Sequence, residues 1–160
     1  MKELWSVWIP AVVAAGDLRI KNRIESDPQM QKEKPILKGR VILRRFHNPG
    51  AFLSLGREHG ALVRLLSVVL TLAVAGLFGL SLTQKGNGLA RTGYALLLGG
   101  AFSNTYDRLF RKYVVDYFSF HTGIGALDRM VFNLADFAVL IGAACIVLGE
   151  GNAFMGEGQG

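Results

Sequence analysis

The apolar positions of this chain fall into four blocks separated by polar, glycine-rich stretches. Residues 4–20 hold Leu4, Trp5, Val7, Trp8, Ile9, the run Ala11 to Ala15, Leu18 and Ile20, interrupted by Pro10 and Asp17. Residues 61–83 are apolar almost without a break from Val68 to Leu82. A third block runs from about Leu89 to Phe110 and a fourth from about Val131 to Leu148. The last three are long enough to cross a bilayer core as helices, which takes about 20 residues. The short connector Gln84 to Gly88 makes the second and third antiparallel.

The first block fits two patterns. It has the outline of a cleaved signal peptide, with Lys2 as the basic start and Val13-Ala14-Ala15 as the small-residue site. It also fits a helix that continues past residue 16, because Asp17 and Lys21 are spaced i, i+4 and pair on one face. A secreted protein is excluded by the three apolar segments that follow.

The intervening stretches carry their own signals. Ile36-Leu37 and Val41-Ile42-Leu43 flank Gly39 and read as two small strands or a hairpin, followed by the turn His47-Asn48-Pro49-Gly50. Ala51-Phe52-Leu53 then re-enters an apolar environment, which Arg57-Glu58-His59-Gly60 breaks. Residues 111–130 form a second polar loop, and the Gly-rich tail 151–160 reads as disordered. The pattern therefore predicts an all-α membrane protein, one domain over 1–150, with four transmembrane helices. A small β-rich cradle lies in the loop at about 22–60, on the same side as loop 111–130.

Composition supports this class. The chain of 160 residues is 51% apolar, has 20 glycines, and concentrates its apolar residues in blocks. The net charge of +6 comes from Lys and Arg in the loops, with no aromatic-basic platform. That suits lipid headgroups as partners and gives no reason to expect nucleic acid. Cys145 stands alone inside an apolar run and reads as a small buried hydrophobe.

The candidate chemistry lies where the blocks meet the polar loops. Asp116 and Asp136 are acids set against apolar segments, which is costly and needs a reason. Asn104 and Arg108 share a face at i, i+4, and Asn133 and Asp136 share one at i, i+3. Polar faces near one membrane surface converge in the bundle interior, because contact with lipid is expensive. Two carboxylates held close share a proton, one as base and one as acid, which can activate water against a peptide carbonyl. The histidines, His47, His59 and His121, lie in loops without paired ligand spacing, so no metal site is expected. The plain alternative is structural: Asp116 caps the approach to the fourth segment, and Asp136 pairs with Arg129 or Arg108. Intramembrane acids also serve proton-coupled carriers.

The chain resembles the lipoprotein signal peptidases, the type II signal peptidases of bacteria. The family pattern is Gly-Gly-Ala-x-Gly-Asn-x-x-Asp-Arg, then Val-Val-Asp-Phe, then Phe-Asn-x-Ala-Asp. This chain has Gly99-Gly100-Ala101-Phe102-Ser103-Asn104-Thr105-Tyr106-Asp107-Arg108, Val114-Val115-Asp116-Tyr117 and Phe132-Asn133-Leu134-Ala135-Asp136. Asp17 and Lys21 match an Asp-x-x-x-Lys at the end of the first span, and Asn48-Pro49-Gly50-Ala51 matches an Asn-x-Gly-Ala box.

The resemblance implies an aspartyl endopeptidase that cuts prolipoproteins just before a diacylglyceryl-modified cysteine. Asp116 and Asp136 would be its catalytic pair. Asn104, Arg108 and Asn133 would position substrate and dyad, Asp17, Lys21 and Asn48 would organise the site, and Gly100 would support it. The implied enzyme is a cofactor-free monomer of the bacterial inner membrane, multi-pass, with its site toward the outer face. A homologue that binds lipidated peptides without cutting them is the alternative.

Besides Tyr117 where the pattern has Phe, two boxes depart from the pattern. Ser103 stands where the family has Gly, and the box after Asn48 reads Gly50-Ala51-Phe52-Leu53-Ser54-Leu55. The charge distribution also opposes the implied orientation. Loop 21–60 is dense in Lys and Arg, whereas Lys2, Lys85 and Arg91 are the cations of the other side. The positive-inside rule alone would invert the chain.

Overall fold

The computed structural model describes residues 4–50, 59–84 and 87–157. Four long helices and a small antiparallel sheet make up the fold. Helix α1 spans Trp8–Ser26, strands β1 and β2 span Lys34–Ile36 and Val41–Asn48, and helices α2 and α3 span Gly60–Thr83 and Gly88–Phe110. Strand β3 covers Val114–Phe120, a single helical turn α4 covers Gly125–Asp128, and α5 covers Leu134–Glu157. The stretch Ala51 to Glu58, which includes all of the altered box after Gly50, lies outside the described residues, as do Lys2 and Lys85.

Helix α3 is the central element and packs against α1, α2 and α5. Glycines let α3 and α5 approach closely. A Cβ on Gly93 would sit 2.6 Å from the Gly142 carbonyl oxygen, and one on Gly100 would sit 2.5 Å from that of Ala135. In lipid, where no hydrophobic force drives helices together, such backbone-to-backbone packing carries the association.

Two helices, α2 and Leu134–Gly151 within α5, are long and apolar enough to cross a membrane. The apolar side chains of α2 point outward, with Leu65, Leu70 and Leu72 at 60%, 63% and 66% exposure. A continuous apolar surface of that kind is suited to lipid rather than water. The other two long helices carry more charge, and part of it is buried in the bundle: Asp17 and Lys21 on α1, Arg91 and Asp107 on α3, whereas Arg19 on α1 is exposed.

The sheet has order β1-β2-β3, and all pairs are antiparallel. The expected hairpin is present, and its turn at Leu37–Gly39 has Leu37, Lys38 and Gly39 all at positive φ. The third strand was not legible as a strand inside loop 111–130. Its sequence VVDYFSF is nevertheless rich in β-branched and aromatic residues, which favour a half-buried pleated surface. Val115 and Tyr117 pack with Ile24 and Met30 in a small core between α1 and the sheet.

Two boundaries differ from the pattern-based ones. The fourth helix starts at Leu134 instead of Val131, because Phe132 bridges to Phe118 on β3 through backbone hydrogen bonds of 2.7 and 3.0 Å. Helix α5 continues through residues 151–157, where composition predicted a disordered tail. With no proline to stop it, an existing helix extends cheaply.

Candidate active site

Asp116 sits in the middle of β3 and is 3% exposed. Its face is set by the strand period: Val115 and Tyr117 point one way into the small core, so Asp116 points the other way, toward the bundle. On β2, Asn48 pairs with Val114, two residues from Asp116 along the neighbouring strand. From there its amide donates to Asp116 Oδ2 at 3.1 Å.

Asp136 occupies the first turn of α5. Asn133 and Asp136 form a reciprocal cap. The Asp136 N–H donates to Asn133 Oδ1 at 2.9 Å, and the Asn133 N–H donates to Asp136 Oδ2 at 3.0 Å. The other Asp136 oxygen accepts from Asn104 Nδ2 at 2.9 Å.

Asn133 ties the two acids together. Its Nδ2 donates to Asp116 Oδ1 at 2.7 Å and to Asn104 Oδ1 at 3.2 Å. The side chain is fully buried, and every polar atom in it has a partner. Burial, and then the charge of Asp136, push the Asp116 carboxyl up to about 7, against the hydrogen bonds from Asn48 and Asn133 and the charge of Lys21.

Behind this pair lies a dry ionic cluster. Lys21 Nζ is completely buried and contacts Asp17 Oδ2 at 2.7 Å, Asp107 Oδ2 at 3.1 Å and Asn104 Oδ1 at 2.8 Å. Asp107 also accepts from the Val115 N–H at 3.1 Å and pairs with Arg111 at 3.3 Å. Its partners are thus elsewhere than the adjacent Arg108, as neighbours on a helix do not face each other.

Ser103, which replaces the expected glycine, is completely buried inside α3. Its hydroxyl accepts from Lys21 at 3.2 Å and donates to Asp17 Oδ2 at 2.6 Å. The site is ordinary helix, so the serine strains nothing and joins the ionic cluster.

Arg108 reaches back along α3 to the Asn104 carbonyl at 3.3 Å and across to the Gly50 carbonyl at 3.2 Å. Neither it nor Arg129 is paired with Asp136, whose bonds go to Asn104 and Asn133. Gly100 is buried in α3. It lies against the Ala135 backbone and Val139, and so sets how closely the start of α5 sits on α3.

A cleft of about 690 Å³ opens over Asp116 and Asp136. Its walls include Leu70 and Thr71 of α2, Asn104 and Arg108 of α3, and Val139 and Leu140 of α5. The lining is mostly apolar with a few convergent polar groups, as expected of a pre-formed binding site. The structure thus gathers Asp116, Asp136, Asn104, Asn133 and Asn48 into one connected group, with Asp17 and Lys21 behind it. Among the described residues, no group of three or more His, Cys, Asp or Glu side chains could hold a metal ion.

The family model described as Signal peptidase (SPase) II matches residues 9–150. The chain belongs to the signal peptidase II family. The lipoprotein signal peptidase of Mesorhizobium japonicum is 36% identical over 148 residues, covering 91% of this chain and 86% of that protein. That of Haemophilus influenzae is 31% identical over 153 residues, covering 94% and 86%. A solved bacterial membrane enzyme superposes with a TM-score of 0.78 at 20% identity, over 96% of this chain and 89% of that one. A second superposes with a TM-score of 0.74 at 21% identity, over 89% and 90%.

Sequence reasoning assigned no role to Tyr117 and Asp107 at the site, nor to Arg91 at the opposite end of α3. Tyr117 bonds both Asp17 and the Leu134 N–H, at 3.0 and 2.8 Å. Asp107 joins the buried cluster. Arg91 caps the end of α2, donating to the Ser81 carbonyl at 3.0 Å and to that of Gln84. The available signal was the same for all three: a polar group in an apolar or densely packed context must have an internal partner.

Proposed function

We infer that the chain is an aspartic endopeptidase that removes signal peptides from lipoproteins, with Asp116 and Asp136 as the catalytic pair. Family membership supports the activity. The observation that carries the assignment of the pair is Asn133, which bonds Asp116 directly and caps Asp136 in the same 133–136 turn. Water between the carboxylates loses a proton to the ionised acid, while the protonated one polarises the scissile carbonyl. The resulting oxygen adds to the carbonyl carbon, and the proton then passes to the leaving amine. The two acids titrate as a unit and return to a shared single proton at the end of the cycle.

The substrate is a prolipoprotein cut before its lipidated cysteine. It enters sideways through the cleft bounded by α2, α3 and α5, so that its acyl chains remain in the bilayer. The lipid-suited outer face of α2 and the apolar lining of the cleft support this route. The chain acts as a monomer, and Asn104 and Arg108 hold the peptide at the cleft wall.

All four long helices cross the inner membrane, with the sheet and the acid pair at the outer face. Burial takes one counted cation from each side, so the opposing charge difference is unchanged. Lys21 sits in the ionic cluster and Arg91 caps α2, so neither faces headgroups. Orientation is tested by a cysteine at Lys34, an exposed strand residue, in a Cys145→Ala background. Labelling only from the cytoplasmic side would overturn it. Ile24 is unsuited to such a probe, being 7% exposed in the small core.

The activity is tested by incubating the purified chain with a diacylglyceryl-modified prolipoprotein. Release of the signal peptide with a new N-terminal lipidated cysteine is expected. An intact substrate would leave only a binding role.

A further inference from the structure

Two hydroxyls converge on one buried carboxylate. Asp17 is completely buried on α1. Its Oδ2 accepts from Ser103 of α3 at 2.6 Å and from Lys21 at 2.7 Å, and its Oδ1 accepts from Tyr117 of β3 at 3.0 Å. The Tyr117 oxygen in turn accepts from the Leu134 N–H at 2.8 Å.

Leu134 is the first residue of α5, and its N–H is one of the four donors that a helix start leaves without an intrahelical partner. Asp136 lies two residues on. Tyr117 follows Asp116 directly on β3, with its side chain on the opposite face. A single phenol oxygen therefore joins the strand that carries one acid, the helix start that carries the other, and the first span.

We propose that Tyr117 and Ser103 are positioning residues that lock the start of α5, and with it Asp136, against Asp17 in the geometry the peptidase reaction needs. The proposal rests on the acid pair being the reactive one. Asp17 reaches Asp136 by two routes. One runs through Tyr117 and the Leu134 backbone. The other runs through Lys21 to Asn104 Oδ1 at 2.8 Å and from Asn104 Nδ2 to Asp136 Oδ1 at 2.9 Å. Two tethers fix both the position of the helix start and the rotation of the carboxylate, where one would leave a pivot.

The hydroxyl can act only while protonated, since it must donate to Asp17 and accept from Leu134 at once. Burial, and then the charge of Asp17, raise the Tyr117 phenol above its ordinary range, so it stays a donor at every pH at which a peptidase works. Ser103 supplies the second restraint. Without it, Asp17 Oδ2 would be held by Lys21 alone, whose ammonium is shared with Asp107 and Asn104.

Tyr117→Phe keeps the ring in the core with Ile24, Met30 and Val115 and deletes only the oxygen. It is predicted to lower kcat about tenfold, with KM within about twofold, because a small misplacement of a reacting group costs turnover rather than binding. Ser103→Ala is predicted to lower kcat about threefold. If both act through Asp17, adding either to Asp17→Asn should cause no further loss.

A readout independent of turnover decides the tether itself. Amide hydrogen exchange over residues 132–138 should quicken at least about fivefold in Tyr117→Phe, with α2 unchanged. Unchanged exchange there, or full additivity with Asp17→Asn, would overturn the proposal. If the unmodified chain fails to cut a lipidated prolipoprotein, the peptidase reading fails, while the exchange comparison still decides whether Tyr117 holds α5.

Discussion

The side-chain amide of Asn133 donates to Asp116 Oδ1 at 2.7 Å while its carbonyl oxygen accepts the Asp136 N–H at 2.9 Å. One residue thus serves as helix cap and as spacer between two acids. Asn133→Ala removes both functions. The lost cap costs about 1 kcal/mol of stability. Turnover should fall by more than about a hundredfold, since one acid loses its partner and the other its anchor. Thermal unfolding beside initial rates separates the two effects; a rate loss no larger than the stability loss explains would argue against the spacer role.

The shared proton sets the pH response. The Asp116 carboxyl lies at about 7, so its proton is lost as pH climbs through that value and kcat should decline above it. The stability sign follows from the same shift. Between the ordinary carboxyl range and about 7 the folded state holds a proton that the unfolded state has released, so stability falls as pH rises across that window and levels off above it. A pH–rate profile and unfolding midpoints from pH 4 to 9 check both. A rate that stays flat through the upper half of that range would contradict the shared proton.

The buried cluster behind the pair should be sensitive to loss of its cation. Lys21→Met keeps the bulk of the side chain and leaves Asp17 and Asp107 facing each other in a dry interior. Removing one partner of a buried ion pair typically costs about 3–5 kcal/mol. A correspondingly lower unfolding midpoint is expected. An unchanged midpoint would mean that the cluster is wetter than its complete burial implies.

Close helix contact at Gly100 fixes where α5 begins. Gly100→Ala would put a Cβ 2.5 Å from the Ala135 carbonyl oxygen, so α5 must shift and carry Asp136 with it. Turnover should fall about a hundredfold for a displacement near 1 Å. Gly79→Ala on α2, with nothing within 4 Å, is the control and should keep normal activity. Equal behaviour of the two variants would remove Gly100 from the account.

Much of this site was legible before the fold was known, for a physical reason. Carboxylates and amides in apolar blocks are expensive, so Asp116, Asp136, Asn104 and Asn133 stood out, and helical spacing put them on common faces. The i, i+4 spacing of Asp17 and Lys21 correctly indicated a pair. What helical periodicity could not convey was β3, because seven strand residues set between charged turns read as loop. The partners of Asp107 and Ser103 were hidden for another reason. Both lie on the face of α3 that meets α1, and no local pattern encodes which helices touch. Arg91 was counted among the cations of the other side, because nothing local shows that it folds back onto the end of α2.

The most direct test of the account is cleavage of a diacylglyceryl-modified prolipoprotein by the purified chain and by Asp116→Asn and Asp136→Asn. Each substitution keeps the shape of the side chain and removes its acid, so each should retain the fold and lower turnover by at least about a thousandfold. Normal cleavage by either variant would contradict the assignment of the acid pair.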